Sequence, residues 1–430
     1  MRIGVVADDV TGANDIGIMF MNGGCVSNVY SIIPGSETFM DFTHYPADVV
    51  VLDTNSRLDS TEMAYHKVFE ATQRLKQAGC KQFYNKTCSV FRGNIGAEFD
   101  AMLDALEKNF AIVVLGFPKN GRVTRDGIHY VHSKLLAESE FRNDPIHPMR
   151  ESNLVKILQS QTKRKVELVS HEIISQGVDI LKEEIQKKRS ACNYLILDVL
   201  DQEALGVIAA AVKDELVLCG SSALGEELPM AWGFQSTLFQ VQPDCIDPNK
   251  GILITAGSLT PQTAAQIEYF NKNGKATSIL LAQHLFEGAE REPYLLKKVN
   301  ELSDLINLGE DVVFHSEYQN NQVELTRQLG QVYGLSVLQV SRLISDTLAE
   351  ITQRVVKKTG QRGLIVAGGE TSASVCKKLG LFGFRVGIEI EPGLPSCVSL
   401  IEPQHVLVLK SGSFGKTNFF QNALNHLRDL

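Results

Sequence analysis

The chain has 430 residues, 44% of them hydrophobic and 21% charged, and a formal net charge of −8. That length exceeds one ordinary core and fits two or three domains, while the composition is that of a globular protein with no biased tract. The negative balance argues against a nucleic-acid partner, which demands a basic face, and against an anionic membrane surface. A small anionic substrate stays open, because local arginines and lysines decide that.

The N-terminus begins directly with a strand, Ile3-Gly4-Val5-Val6-Ala7, with no basic stretch and apolar run of a signal peptide ahead of it. No apolar run approaches the ~18 residues of a spanning helix, so a cytoplasmic protein without a membrane partner is expected. Further apolar strands are predicted at 48–53, 82–86, 111–115, 166–170 and 194–198. Between them lie helical patterns such as 60–79, where Met63, Val68, Phe69, Ala71 and Leu75 recur at helical spacing. Continuous apolar strands separated by helices imply βαβ units and a parallel sheet covered on both faces. The stretch from Gln240 to Gly251, with two prolines and no periodicity, reads as a linker. A second series follows, with strands expected at 251–256, 276–281, 311–315, 363–367, 384–390 and 405–410 and a last helix at about 417–428. The fold class is therefore α/β: two α/β domains with mainly parallel sheets and an interdomain cleft, the kind of place where ligands bind.

The eight cysteines, at 25, 80, 88, 192, 219, 245, 376 and 397, form no Cys-x-x-Cys pair and no zinc spacing with the ten histidines. They read as reduced thiols packed as small hydrophobes, and no protein-held metal site is expected. His129 and His132 read as packing or surface residues, and the single tryptophan, Trp232, as packing.

Three constellations carry chemistry. The first is Ala7-Asp8-Asp9-Val10-Thr11-Gly12-Ala13-Asn14-Asp15. Carboxylates at the carboxyl end of a strand stand where open α/β sheets bind ligands, and paired carboxylates can take a hydroxyl proton or hold a divalent cation. Thr11 or Asn14 could cap the following helix, with Gly12 allowing close approach; the competing reading of the carboxylates is that an Asp at a strand end merely caps the helix. A dehalogenase-type phosphatase would need Asp-x-Asp rather than adjacent carboxylates. The second constellation is Lys86-Thr87-Cys88-Ser89-Val90-Phe91-Arg92-Gly93, a strand end with two cations leading to a helix near Gly93, suited to a carboxylate. The third is a set of strand-to-helix turns rich in Gly, Ser and Thr: Ala256-Gly257-Ser258-Leu259-Thr260-Pro261, Ala367-Gly368-Gly369-Glu370-Thr371-Ser372 and Lys410-Ser411-Gly412-Ser413-Phe414-Gly415. Exposed amides at such helix starts suit phosphate, and Pro261 is placed for the first helical position if Thr260 is the cap. The triplet Gly415-Lys416-Thr417 is a decoy. A P-loop needs glycine five residues before its Gly-Lys pair, and Lys410 stands there.

With these motifs in hand, the chain resembles the four-carbon acid sugar kinase family over nearly its whole length. The resemblance rests on the Ala7-Asp8-Asp9-x-Thr11-Gly12-Ala13-x-Asp15 opening, Thr54-Asn55-Ser56-Arg57, Phe91-Arg92-Gly93-Asn94-Ile95-Gly96-Ala97-Glu98, Gly121-Arg122, Leu136 to Phe141 with Asp144-Pro145, and the three turns above. It implies a sugar-acid-binding domain over 1–240 and a nucleotide-binding domain over 250–430. It implies transfer of the γ-phosphate of ATP, with Mg²⁺, to the terminal hydroxyl of a threonate, erythronate or 3-oxo-tetronate type acid. Carried over by residue, Asp9, Arg57, Lys86, Ser89 and Arg92 contact the acid, with Asp9, or Asp8, orienting and deprotonating the hydroxyl. Ser258, Gly368, Gly369, Glu370, Thr371 and Gly412 contact ATP. A homo-oligomer is compatible with all of this. The sequence departs from the family at Cys88, where Asp is usual, and at Asn85, where a second Lys is common. Both changes lie in the substrate loop and leave the acceptor open. The competing class is a non-catalytic regulator that binds a sugar acid or nucleotide.

Overall fold

The computed structural model describes residues 3–32, 45–144, 146–234, 246–286 and 288–430. It divides into two compact units, Met1–Phe239 and Gln240–Leu430. Of the linker expected from Gln240 to Gly251, the part through Cys245 lies outside the described residues, as does Pro145.

The first unit runs β1 (Ile3–Ala7), α1 (Val10–Asn22), β2 (Ser27–Ser31), β3 (Val49–Asp53), α2 (Thr61–Gln77), β4 (Gln82–Lys86), α3 (Ile95–Leu106) and β5 (Ala111–Val114). A small antiparallel sheet follows, of β6 (Arg122–Arg125), β7 (Ile128–Val131) and β8 (Lys134–Leu135). The chain then forms α4 (Leu154–Gln159), β9 (Val166–Val169), α5 (His171–Ile174), α6 (Val178–Arg189), β10 (Tyr194–Leu197), α7 (Gln202–Val212), β11 (Val217–Gly220) and α8 (Leu224–Trp232). The main strands pair in parallel in the order β2-β3-β1-β4-β11-β5-β10-β9. β1, β3, β4, β5, β10 and β11 are buried along their whole lengths, as strands covered by helices on both faces must be. On α2 the buried stripe is Ala64, Val68, Ala71, Thr72 and Leu75. Met63, expected inside, is exposed because it lies one residue off that stripe.

Chain order leaves β1 toward β2 and β3 on one side and resumes at β4 on the other. β1 is thus a topological switch point, whose carboxyl end opens onto a crevice. Register does the rest: Ala7 lies beside Asp53 on β3 and Lys86 on β4. The residues after Ala7 therefore emerge between a carboxylate and an ammonium.

The second unit contains β12 (Leu253–Ala256), α9 (Pro261–Lys272), β13 (Ala276–Leu280), α10 (Gln283–Phe286), α11 (Gly288–Asn307), β14 (Val312–Ser316), α12 (Asn320–Val332), α13 (Val337–Thr359) and β15 (Gly363–Ala367). It ends with α14 (Gly369–Leu379), β16 (Gly383–Glu391), β17 (Leu394–Ser399), β18 (Val406–Lys410) and α15 (Phe419–Asp429). Strands β13-β14-β12-β15-β18 are parallel, and β17 and β16 continue the sheet antiparallel. β12 is again the switch strand. Ala256 pairs with Ala367 and Ala367 with Lys410, so the turns after β12, β15 and β18 start at one level. α13 is closed by a capping box between Ser336 and Gln339.

Among the described residues no helix is long and apolar enough to cross a membrane.

Gly220 ends β11 at φ +136°, and a Cβ there would lie 1.9 Å from the Val114 carbonyl oxygen. Gly79 also has positive φ, but nothing stands within 4 Å of its Cβ position. Gly220→Ala should cost on the order of 3 kcal/mol or more, backbone strain and overpacking combined. Gly79→Ala should cost about 1–2 kcal/mol. Thermal unfolding followed by circular dichroism checks the pair; equal shifts would contradict the packing argument.

Candidate active site

Asp8 and Asp9 follow β1 and are 1% and 6% exposed. Asp9 is the N-cap of α1: its Oδ1 accepts from the Gly12 N–H at 2.6 Å and from Thr11 Oγ1 at 3.2 Å. Of the caps considered, an aspartate rather than Thr11 or Asn14 takes the position: Asp9, whose extended backbone and short side chain reach the third helical amide. Its other oxygen takes Arg57 Nη1. Asp8 receives the other side of the same guanidinium as a fork, Nε to Oδ2 and Nη2 to Oδ1, both at 2.7 Å.

Arg57 is delivered by the loop after β3. The Thr54 hydroxyl donates to the Ala7 carbonyl at 2.9 Å, and the N–H groups of Ser56 and Arg57 donate to the Asp8 carbonyl at 3.0 and 3.2 Å. Asn55 takes positive φ to make that turn. The Ser56 hydroxyl donates to Glu98 at 2.7 Å, and burial pushes Glu98 well above its usual range. Gly93 lies against Arg57, its Cβ position 3.2 Å from Arg57 Cγ.

Lys86 ends β4 with its ammonium 3.4 Å from Asp15 Oδ2, donating to the Thr87 carbonyl at 3.1 Å. Gly12 permits this approach. A Cβ there would stand 2.7 Å from Asp9 Oδ1 and 3.1 Å from Lys86 Nζ. In the next loop, Ser89 is buried. Arg92 donates to Asp144 Oδ2 at 2.7 Å and to Cys88 Sγ at 3.4 Å, and lies over the Phe141 ring at 5.0 Å. Asp8, Asp9, Arg57, Lys86 and Arg92 thus share one neighbourhood at the carboxyl ends of β1, β3 and β4.

The electrostatics follow from that packing. Burial pushes Asp9 up, but Arg57, Lys86, the Gly12 amide and Arg92 outweigh it and hold the carboxylate below its usual range. Asp15 goes the other way, raised by burial despite Lys86. Burial also pushes the Cys88 thiol up, yet Arg92 and Arg57 bring it below its usual value. Asp53, buried beside Asp9 and Asp8, is pushed up to about 7 although it accepts from the Asn55 amide and the Ser31 hydroxyl.

Asp15 and Asp144 are the carboxylates that pair with Lys86 and Arg92. The sequence signals Asp144 only through the family resemblance, because no spacing marks a partner 52 residues away from Arg92. His129 is fully buried with Nδ1 3.0 Å from Thr124 Oγ1, and burial lowers it to about 3, so it packs rather than titrates. Trp232 stacks on Phe20 and donates to the Lys213 carbonyl, also as packing.

In the second unit the three turns meet. The Gly257 N–H donates to the Ala367 carbonyl and the Gly368 N–H to the Lys410 carbonyl. A Cβ on Gly412 would lie 2.2 Å from Ser258 Oγ, and one on Gly257 2.2 Å from Thr371 Oγ1. Gly368, at φ +119°, has Ser258 N 3.2 Å from its Cβ position. Only glycine lets these loops close on one another. Thr260 caps α9 ahead of Pro261, as expected. Ser258, Gly368, Thr371 and Gly412 are mutual neighbours, and Gly369 begins α14. Glu370 turns toward α13, accepting from Ser341 Oγ at 2.8 Å, and burial raises its pKa. The turns form a glycine-lined cradle at the starts of two helices, which fits nucleotide phosphates. No cluster of three His, Cys, Asp or Glu suited to a metal occurs among the described residues.

Two family models match the chain: a sugar-binding N-terminal domain over residues 3–228 and a nucleotide-binding C-terminal domain over 253–420. Proteins named 3-oxo-tetronate kinase from Pectobacterium atrosepticum and Haemophilus influenzae are each 31% identical, covering 98% of this chain and 98% of their own. Among solved structures, Haemophilus influenzae protein HI1011 superposes with a TM-score of 0.70 at 30% identity, covering 98% of this chain and 99% of its own. A Salmonella typhimurium LT2 crystal structure carrying a tRNA-synthase label gives 0.81 at 26% identity over 98% of both chains.

The raised pKa of Asp53 makes a stability prediction. A carboxyl that titrates at about 7 when folded and at 3.8 when free binds its proton more tightly in the folded protein. Its contribution is therefore full below pH 3.8 and is lost as pH rises through 7. Asp53→Asn should flatten the fall in stability between pH 5 and 8, read as urea midpoints at several pH values. An unchanged slope would refute the assignment.

Proposed function

The chain belongs to the four-carbon acid sugar kinase family, and on that premise we propose that it transfers the γ-phosphate of ATP to the terminal hydroxyl of a four-carbon sugar acid. A carbohydrate-acid kinase is what its full-length relatives are named for. The observation that carries the proposal is Asp9, an ionised carboxylate held beside Arg57, Lys86 and Arg92 at the end of the switch strand. An acid substrate brings its own negative charge to those cations.

In this reading the first unit takes the acid and the second takes ATP. Arg57, Lys86, Ser89 and Arg92 hold the substrate carboxylate and hydroxyls. Asp9 orients the reacting hydroxyl and receives its proton, and Asp8 fixes Arg57. Ser258, Gly368, Gly369, Glu370, Thr371 and Gly412 hold ATP. Magnesium would arrive with the nucleotide, bound by phosphate oxygens and water rather than by a dedicated protein cage, and would neutralise phosphate charge. Phosphoryl transfer needs little covalent chemistry from the protein, so alignment and charge stabilisation dominate. An Asp9 pKa below the usual range suits that division: the carboxylate accepts a hydrogen bond in the ground state and a proton only as the O–P bond forms.

The test is an ATP-consumption screen over threonate, erythronate and 3-oxo-tetronate isomers, with the phosphorylated product identified by mass. Turnover of the 3-oxo-tetronate class is expected from the relatives' names. Measurable ligand binding with no phosphorylated product from any isomer would favour the non-catalytic regulator. Asp9→Asn keeps a good helix cap and removes the base. It should lower kcat by about 10²–10⁴-fold while ATP affinity, read by calorimetry, stays unchanged. Loss of both together would assign Asp9 a structural role instead.

A further inference from the structure

Lys410 ends β18 and is fully buried. Its ammonium lies 2.9 Å from the Ser411 carbonyl, 3.0 Å from that of Gly412, 3.2 Å from that of Phe414, and 3.0 Å from Thr263 Oγ1. The first two turns of α9 add to the same side. The hydroxyls of Thr260 and Thr263 donate to the Gly412 carbonyl at 2.6 and 2.9 Å. Gln266 Nε2 reaches the carbonyls of Phe414, Gly415 and Lys416 at 3.2, 3.1 and 2.9 Å. The carbonyls of residues 411, 412, 414, 415 and 416 are therefore all drawn inward.

A trans peptide is planar, so a carbonyl pointing one way sends the next residue's N–H the other way. The N–H groups of Gly412, Ser413 and Gly415 consequently face away from Lys410. Successive outward amides make an anion-binding concavity. Lysine suits the inner position because an ammonium has three donors and no acceptor, and the four oxygen atoms around it all accept.

We propose that Lys410 is a positioning residue for the nucleotide: from beneath the loop it holds the carbonyls inward so that the amides of Gly412, Ser413 and Gly415 are presented to phosphate. This rests on the reading of the second unit as the ATP-binding one. The burial of an ammonium that no carboxylate contacts among the described residues carries a desolvation cost; Lys410 is accordingly lowered to about 7, with Glu391 offsetting only part of the effect. A lysine placed merely for packing would be replaced at no loss by an apolar chain of equal length. One engaged with a row of carbonyls would not.

The experiment compares the full-length wild type with Lys410→Met and Lys410→Gln, titrating ATP and adenosine by calorimetry and measuring KM for ATP and for the acid. Methionine keeps the length and removes every donor; glutamine restores two. Lys410→Met should weaken ATP binding and raise its KM by roughly tenfold, the worth of one or two hydrogen bonds, with Lys410→Gln between it and wild type. KM for the acid and affinity for adenosine should stay unchanged, because the effect acts through phosphate. A folded Lys410→Met that binds ATP as wild type does would overturn the inference and leave the nucleotide reading intact. Absence of ATP binding by the wild type would remove that reading, and the inference with it. Should Lys410→Met not fold, Thr263→Val removes one hydroxyl from the same set. A roughly threefold weaker ATP affinity is then expected, and no change would overturn the proposal.

Discussion

The Arg57 guanidinium shared between Asp8 and Asp9 is the interaction on which the first unit's site depends. Two adjacent carboxylates on a buried strand end repel each other and have lost most of their water. Without a cation, one would take up a proton. A planar fork can bind both at once because it has donors on two edges, which a lysine ammonium could match only as a point charge. The pairing also joins distant segments. Through Arg57 the end of β1 is tied to the loop after β3, and the Arg57 carbonyl in turn lies 3.0 Å from His147 Nε2. The His147 amide donates to Asp144, which holds Arg92. A charge network that spans three loops positions its members more firmly than any one loop would, at a desolvation cost that burial makes substantial.

The second unit solves a different problem. On the proposed reading its ligand-facing groups are mainly backbone amides, which carry no net charge and need no counter-ion, so it uses glycines instead of ion pairs. Gly257, Gly368 and Gly412 remove side chains where three loops converge, and hydroxyls and one buried ammonium fix which way the peptide planes face. Both units nevertheless start from the same geometric rule. In each, the first strand of the series is the one from which the chain departs in both directions, and a candidate site loop follows it directly.

Much of this was legible in sequence because continuous apolar strands and glycine-rich turns are local signals. Strands β1, β4 and β15 fall at the bounds their apolar runs predict. The missed strands differ in cause, and β11, Val-Leu-Cys-Gly, was missed although it is apolar, buried and parallel. β2 is Ser-Asn-Val-Tyr-Ser, too polar to stand out. β6, β7 and β8 form a short charged hairpin sheet. β17 contains Pro395 and pairs antiparallel, outside the parallel pattern that the rest of the chain sets. The candidate site residues were legible as types. What could not be read was which cation meets which carboxylate, since Arg57 to Asp8, Lys86 to Asp15 and Arg92 to Asp144 are separated by 49, 71 and 52 residues and are brought together by strand register. The α1 cap is harder to read from sequence because Asp9 serves as both cap and candidate site residue, so the two roles do not exclude each other.

Cys88 shows how register and chemistry combine. Where the family usually places a carboxylate, this chain has a thiol that two arginines draw toward its anionic form. Sulfur is larger and a weaker acceptor than oxygen, and the contact from Arg92 is correspondingly long at 3.4 Å. Arg92 does not depend on it. Its short bond is to Asp144 at 2.7 Å, with the Phe141 ring beneath the guanidinium. The direction of the cation is therefore set by the segment around Asp144, and a change at residue 88 alters the charge and volume offered to an acceptor without moving the arginine that would hold it. On the proposed reading, that separation would let the loop around residue 88 vary in what it recognises while the Arg57, Asp8 and Asp9 cluster stays as it is.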